Sequence, residues 1–421
     1  MGTRRPPAAH RAGVDRRGHA TGRSVVGMAS CQARRAPVRD RSIAFRMTVS
    51  RVLGPGRVRE GVFMARLRAI SCVSAANVVG MDEVTDFLVG LARPSARSRL
   101  TEALTGARNR TRHSVLPLAA LARLGGIGER SELYRQHATE LAMRAVARLA
   151  ERGQLDTRAI SKVIFVSGTG QATPSIETEI IRRFGLDPRC RRIPLSQLGC
   201  AGGVAALALA AETVRERGGA TLVVSAEVPS LQLQLAEPSF AELLAAAHFG
   251  DGAAAAVIAA DGPGVEICAT ASTLLPEVAE GGQVLVHETG LRLRSSGDLS
   301  GLIRRRVEPL LRELTTEHGL EPRELAFVAA HPRSARVLES VADGLRLDDE
   351  QLAGSWATWE KRANMISSGV FCALDESARG AAPDGARAAA LLAFGAGTSC
   401  EIALLRWAEA GELTGIAERA A

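Results

Sequence analysis

Residues Gly202–Arg217 restrict this 421-residue chain more than any other stretch. Their periodicity is helical, they are apolar nearly all round, and Gly218-Gly219 ends them. A helix without a polar face must run through the middle of a protein. Short β-rich runs, Lys162–Ser167 and Thr221–Ala226, stand on either side of it. Further on, Leu325–Ala330 runs into His331-Pro332, and Ala335–Leu345 follows as a helix. Near the front, Ala65–Val79 reads as a strand followed by a helix. Continuous apolar strands alternating with helices predict an α/β protein whose sheets are covered on both faces.

The chain repeats itself weakly. Phe249-Gly-Asp-Gly-Ala-Ala-Ala-Ala-Val-Ile258 resembles Phe394-Gly-Ala-Gly-Thr-Ser-Cys-Glu-Ile-Ala403, each a glycine turn opening a strand. Val163–Ser167 and Phe327–Ala330 are comparable strands, each ending at a polar turn. Two related halves are expected, with a boundary at the turn Asp261-Gly-Pro-Gly264: residues 64–262 and 263–421.

The net charge of +8 does not describe a nucleic-acid binder. Residues 1–63 hold 14 Arg, no Lys and three acids, a net of +11, which leaves about −3 for the rest. This Arg-rich extension shows no sustained apolar period and is expected to be disordered. Three readings of it stay open: a translated upstream stretch with initiation at Met64, a native arm, or a targeting peptide. No apolar run approaches the roughly 18 residues of a membrane span. Seven cysteines at wide spacings with no CxxC argue against a disulfide framework and a zinc site, and for a reducing, cytoplasmic location.

Chemistry concentrates at three residues. Cys200 sits in Leu198-Gly-Cys-Ala-Gly-Gly203, at the start of the central helix. Orphan N–H groups and the helix dipole there favour a thiolate, and the glycines permit close backbone approach. Acyl transfer at sulfur also needs a group to hold the proton and donors for an oxyanion. His331 ends an apolar strand, so its imidazole stands at the carboxyl edge of a sheet, where active sites gather; a satisfied core histidine is the alternative. Asn364, in Ala363-Asn-Met-Ile-Ser-Ser-Gly369, offers an uncharged amide donor, or else a helix cap.

Gly-Cys-Ala-Gly-Gly, His331-Pro332, Asn364-Met-x-Ser-Ser, Phe249-Gly-Asp-Gly-Ala and Phe394-Gly-x-Gly occur in the order and spacing of type III polyketide synthases. Over residues 64–408 the chain resembles these chalcone-synthase-like enzymes. Thr111-Arg-His113 and Leu195–Cys200 look closest to bacterial tetrahydroxynaphthalene synthases. The resemblance implies a thiolase-like, five-layered αβαβα fold made of two related halves. It implies a homodimer with no permanently bound cofactor and no metal, using acyl-coenzyme A and malonyl-coenzyme A. Cys200 would carry the starter acyl group, while His331 and Asn364 hold the malonyl thioester through decarboxylation. Condensation and cyclisation then give an aromatic or pyrone product.

Several positions depart from the family pattern. Phe249 matches one gatekeeper phenylalanine, but Leu293 stands where a second is expected. Val284 replaces a small glycine, Gly168 is smaller than the usual cysteine or threonine, and Ile366 replaces a small polar residue. Leu233 stands where tetrahydroxynaphthalene synthases carry a tyrosine, which counts against the naphthalene product. Thr173 maps near the residue that crosses between the cavities of a dimer. Of the basic cluster for coenzyme A only Arg99 matches, while Arg333 and Arg336 add guanidinium groups suited to phosphates. The resemblance leaves two other readings open: a ketoacyl-carrier-protein synthase III-like enzyme, and an inactive partner subunit of the same fold.

Overall fold

Strand β1 (Arg66–Ser74) lies near the middle of a mixed sheet, and its neighbours on either side belong to different halves of the chain. The computed structural model describes residues 48–49, 63–106, 108–236, 238–275, 283–294, 299–380 and 387–417. Most of the Arg-rich extension over 1–63 therefore lies outside the described residues. Within it, Thr48–Val49 pairs antiparallel with Ser272 and Ala271.

The remaining strands of the main sheet are β2 (Ile160–Val166), β3 (Arg191–Leu195), β4 (Ala220–Glu227), β5 (Gly252–Ala259), β6 (Val265–Leu274), β7 (Val328–Ala330), β8 (Ala388–Phe394) and β9 (Ser399–Arg406). Their order is β7-β8-β9-β6-β1-β5-β4-β2-β3. The first half supplies β1-β5-β4-β2-β3, antiparallel near β1 and parallel from β4 outward. The second half repeats the pattern, antiparallel over β6-β9-β8 and parallel at β8-β7. The half-sheets meet where Arg66 and Leu67 face Glu266 and Val265, with the Ile267 N–H donating to the Ala65 carbonyl at 2.9 Å. The turn Asp261–Gly264 joins β5 to β6, with Gly262 at φ 86° and Gly264 at φ 147°. Both glycine motifs of the sequence repeat lead into equivalent strands, β5 and β9.

The principal helices are α1 (Ile127–Glu151), α2 (Gly202–Arg217), α3 (Phe240–His248), α4 (Leu299–Thr316), α5 (Ala335–Leu345), α6 (Ala353–Arg362) and α7 (Gly369–Arg379). Three apolar cores separate the layers. In the first, Leu141 and Val146 of α1 pack on Val163, Phe165 and Val224. In the central one, Leu207 and Val214 of α2 and Phe371 and Leu374 of α7 lie among Ile164, Val223, Leu391 and Leu405. In the third, Val307, Val341 and Trp359 of α4, α5 and α6 cover Leu392 and Leu404. Neighbouring strand residues such as Val223 and Val224 thus feed opposite cores, which is why these strands are apolar without alternation. Helix α2 occupies the centre, as its uniform apolarity requires. No helix among the described residues is long and apolar enough to cross a membrane.

Two sequence expectations need correction. Ala65–Val79 does not end in a helix: after β1, Asn77–Gly80 pairs with Thr111–Ser114, and the helix begins at Met81. Strand β7 is only three residues long, because Pro322–Glu324 forms a turn and the chain joins β8 late.

The central helices approach through Gly203. A Cβ there would stand 2.9 Å from Val370 and closer still to the Ser367 carbonyl. Gly128, on α1, faces open space. We expect Gly203→Ala to destabilise the protein by about 1–3 kcal/mol through overpacking. Gly128→Ala should leave the melting temperature level or raised, since alanine favours a helix. Thermal unfolding of both variants checks this; equal melting points would contradict the close approach.

Candidate active site

Cys200 is delivered by a strained turn. After β3 the chain passes Gln197 at φ 70° and Gly199 at φ 54°, makes one tight turn over Gly199–Ala201, and enters α2. The sulfur ends buried, with Cys200 only 8% exposed. Burial pushes its thiol up to about 11, and the nearby Glu227 carboxylate adds to that. Arg333 and the Asn364 side chain pull it back down. The helix start thus does not by itself yield a resting thiolate, because desolvation is the largest influence.

His331 follows β7 directly. Its backbone N–H donates to the Leu392 carbonyl at 2.8 Å, which fixes it to the end of β8. Gly369 opens α7 beneath the ring, where a Cβ would lie 2.8 Å from Nδ1. Neither ring nitrogen has a partner at full hydrogen-bond geometry among the described residues, Asn364 being the side chain that acts on the ring. Burial, reinforced by Arg333, holds the imidazole down at about 3, while Asn364 favours the protonated ring.

Asn364 ties the parts together. Its Oδ1 accepts the Ile366 N–H at 2.9 Å and its Nδ2 donates to the Arg333 carbonyl at 3.3 Å. Its backbone N–H donates to the His248 carbonyl at 2.8 Å, and its carbonyl accepts from the Gly250 N–H at 3.0 Å. Asn364 is not the N-cap of the turn that follows, which is Met365, although its Oδ1 holds the Ile366 N–H two residues on. Ala363 at φ 58° and Ile366 at φ 48° flank it.

Cys200 and Asn364 line one cavity of about 710 Å³. Phe249, Val284, Gly168, Leu233, Ile366, Arg333 and Arg336 line it too. His331 is not among the lining residues, but Asn364 and Arg333, which line the cavity, both act on its imidazole. Leu291 also lines the cavity, whereas the side chain of Leu293 lies outside the described residues. Thr173 is exposed and apart from this chamber, beside a groove formed by Ala172, Pro174 and Ile176. Arg99 is exposed and stacks on Phe240 at 4.5 Å, on the helix before the cavity-lining Ala103.

Sequence reasoning missed two residues. Glu227, fully buried at the end of β4, accepts from Gly168 N–H at 3.0 Å, Thr169 Oγ1 at 2.7 Å, Ser167 Oγ at 3.3 Å and the Ser367 hydroxyl. The signal was present: a lone acid ends the apolar run Thr221–Ala226, as His331 ends Leu325–Ala330. The second is His248, which lines the cavity edge-on to Trp359, with ring centroids 5.4 Å apart. Burial holds its imidazole at about 4.

The histidine burial has a consequence in acid. The folded imidazole of His331 titrates near 3 and the unfolded one near 6.5, so between those values the unfolded chain binds the extra proton. Stability is therefore lost as pH falls through that window. The variant His331→Gln should lose less of its melting temperature than the wild type between about pH 7 and about pH 4. Parallel falls in the two proteins would contradict the depressed imidazole.

Comparison with known proteins agrees with this architecture. Residues 117–262 match the chalcone and stilbene synthase N-terminal domain, and residues 266–408 match the C-terminal domain. The 1,3,6,8-tetrahydroxynaphthalene synthase of Streptomyces peucetius subsp. caesius is 31% identical over 334 residues, covering 77% of this chain and 88% of that one. The crystal structure of the 1,3,6,8-tetrahydroxynaphthalene synthase of Streptomyces coelicolor A3(2) superposes with a TM-score of 0.77 at 28% identity. It covers 82% of this chain and 99% of that one. The type III polyketide synthase domain of Steely1 from Dictyostelium shares the fold, with a TM-score of 0.76 at 19% identity over 82% of this chain and 99% of its own. The halves, the shared chamber and these matches agree: the chain belongs to the chalcone and stilbene synthases, the type III polyketide synthases, and is an acyl-transferring condensing enzyme of the thiolase-like fold.

Proposed function

We propose that the chain condenses malonyl-coenzyme A onto an acyl group carried by Cys200. One observation supports this reading most: the buried Cys200 and Asn364 line one cavity, and the buried His331 imidazole is influenced by the same Asn364 and by Arg333, which also lines it. In loading, the Cys200 sulfur attacks the starter thioester carbonyl. The coenzyme A sulfur leaves with the bonding pair and takes the proton that Cys200 gave up, relayed by His331. Malonyl-coenzyme A then enters with its thioester oxygen toward His331 and Asn364. Loss of carbon dioxide leaves the C–C bonding pair on the α-carbon as an enolate. That carbon attacks the Cys200 thioester and expels the thiolate, so the chain grows by two carbons.

The site electrostatics suit the enolate. An imidazolium beside a carbanion would protonate it and end the cycle. Burial keeps His331 neutral, so it and Asn364 supply uncharged N–H donors that stabilise the oxygen without quenching the carbon. The lining by Leu233, Leu244, Val284, Leu291 and Ile366 favours an aliphatic starter. Arg336 at the exposed side of the cavity, with Arg99 nearby, suits the nucleotide phosphates of coenzyme A. The six cysteines described are all free and buried, which fits a reducing cytoplasm. The exposed segment at Thr173, beside a groove of mixed polar and apolar lining, supports a homodimer in which that segment meets the partner.

Incubation with malonyl-coenzyme A and a panel of aliphatic and aromatic starters, read by mass, tests the reaction. Cys200→Ala should abolish product, while Asn364→Ala and His331→Gln should lower turnover by about 10²–10⁴-fold. Activity only with malonyl carrier protein, or unaffected turnover in Cys200→Ala, would overturn the reading. Light scattering should give twice the 44.3 kDa chain mass, and a monomer would exclude the dimer.

A further inference from the structure

Helix α3 carries one wall of the cavity. Ala241, Leu244, Ala245 and His248 recur at helical spacing and line the chamber, while Leu243, Ala246 and Ala247 turn to the apolar core. The two ends of the helix lie against different parts of the site. At its first residue, Phe240, the exposed Arg99 guanidinium stacks on the ring at 4.5 Å. At its last, the His248 carbonyl accepts the Asn364 N–H at 2.8 Å. These nine residues span about 13 Å. The stripe thus runs from a surface cation to the carboxamide that shares the chamber with Cys200.

His248 is the polar member of that stripe. Its half-buried ring stands edge-on to Trp359, which also lines the cavity, with centroids 5.4 Å apart. Among the described residues its ring nitrogens make no hydrogen bond, and burial keeps the ring neutral at working pH. A neutral imidazole offers one N–H donor and one bare acceptor nitrogen. Left without partners in a dry wall, both carry a desolvation cost that a ligand could offset. Apart from the reacting groups, the other uncharged polar side chains of the wall are engaged within the protein. Gln232 donates to the Thr169 carbonyl at 2.8 Å and accepts the Leu291 N–H at 3.1 Å. Gln234 donates to the Gln232 carbonyl at 3.1 Å, the Thr169 hydroxyl to Glu227 at 2.7 Å, and Ser334 Oγ accepts the Val337 N–H at 3.3 Å.

We propose that His248 binds the pantetheine arm of the coenzyme A thioester, at the amide two carbons from the sulfur. This rests on the reading of coenzyme A thioesters as the substrates, with the phosphates toward Arg99 and Arg336 and the thioester at Asn364. With those ends fixed, the arm lies along the α3 stripe, where Ala241 and Ala245 leave it room. The arm carries two amides, each a donor and an acceptor, and His248 stands at the inner end, against Asn364. There the ring N–H donates to the amide carbonyl, or the bare nitrogen accepts the amide N–H. Trp359 restricts the rotation of the ring. Because the imidazole is uncharged, it grips the arm without placing a cation beside the enolate.

Calorimetry of the full chain with two ligands tests the inference: coenzyme A, and adenosine 3′,5′-bisphosphate, which is its nucleotide end without the arm. His248→Leu should raise the Kd of coenzyme A about fivefold to tenfold and leave that of the bisphosphate unchanged. His248→Gln keeps a donor and an acceptor and should stay within about threefold of the wild type for both ligands. An unchanged Kd for coenzyme A in His248→Leu, or an equal loss for the two ligands, overturns the role of His248. Should the Leu variant fail to fold, the wild type decides. Coenzyme A, and not the bisphosphate, should then slow the labelling of His248 by diethyl pyrocarbonate, followed by mass. Equal protection by the two ligands, or none by coenzyme A, overturns the proposal. If the wild type binds neither ligand, the coenzyme A thioester reading itself fails, and the role of His248 with it.

Discussion

The buried carboxylate of Glu227 is the interaction on which the chamber depends. An isolated carboxylate in an apolar interior is too expensive to keep, so it exists only with donors around it. Those donors come from both halves of the chain. Gly168 and Thr169 belong to the loop after β2, and Ser367 belongs to the loop that also carries Asn364. Ser225, two residues earlier on β4, bonds Ser367 at 2.7 Å and Ser368 at 2.8 Å. A polar knot thus crosses the central layer where an apolar contact would allow sliding. It sets the distance between the Cys200 turn of one half and the Asn364 loop of the other.

That knot carries an electrical consequence. Glu227 opposes a negative sulfur, and the closed chamber opposes every unpaired charge, so neither thiol nor imidazole ionises freely at rest. Moving a proton from Cys200 to His331 is less unfavourable than charging either alone, because the two new charges attract in a low-dielectric space. Uncharged donors beside the sulfur suit an enolate for the same reason that burial disfavours a free charge there.

Much of this was legible in the residues. The uniform apolarity of Gly202–Arg217 placed α2 at the centre, the Phe-Gly-x-Gly repeat marked equivalent strands, and three chemically reactive residues stood at element ends. What stayed hidden shares one physical cause. Glu227 and His248 acquire meaning only from neighbours more than fifty residues away in sequence. Arg333 reads in the chain as a phosphate-binding group on a helix approach, and its backbone is bonded to His331 and Asn364 beside the cavity. Leu291, on a short hairpin, also meets the cavity, a contact that only the fold reveals.

The backbone pattern extends the argument. Of the non-glycine residues at positive φ, Gln197 precedes the Cys200 turn, Ala363 and Ile366 bracket Asn364, and Thr398 lies in the Phe394-Gly turn beside Gly199. An isoleucine at φ 48° is a real departure for a β-branched side chain, of order 1–3 kcal/mol. It persists because the surroundings over-determine it: Asn364 Oδ1 holds the Ile366 N–H, and Glu227 and Ser225 hold the next serines. Four of the six such residues fall in the segments that carry the reacting groups, the others being Arg108 and Arg346, and the buried carboxylate network offsets the strain at Ile366. A relaxed backbone at Ala363 or Ile366 would keep the fold but turn the carboxamide away from the sulfur, so the position of Asn364 is maintained by the knot rather than by its own loop.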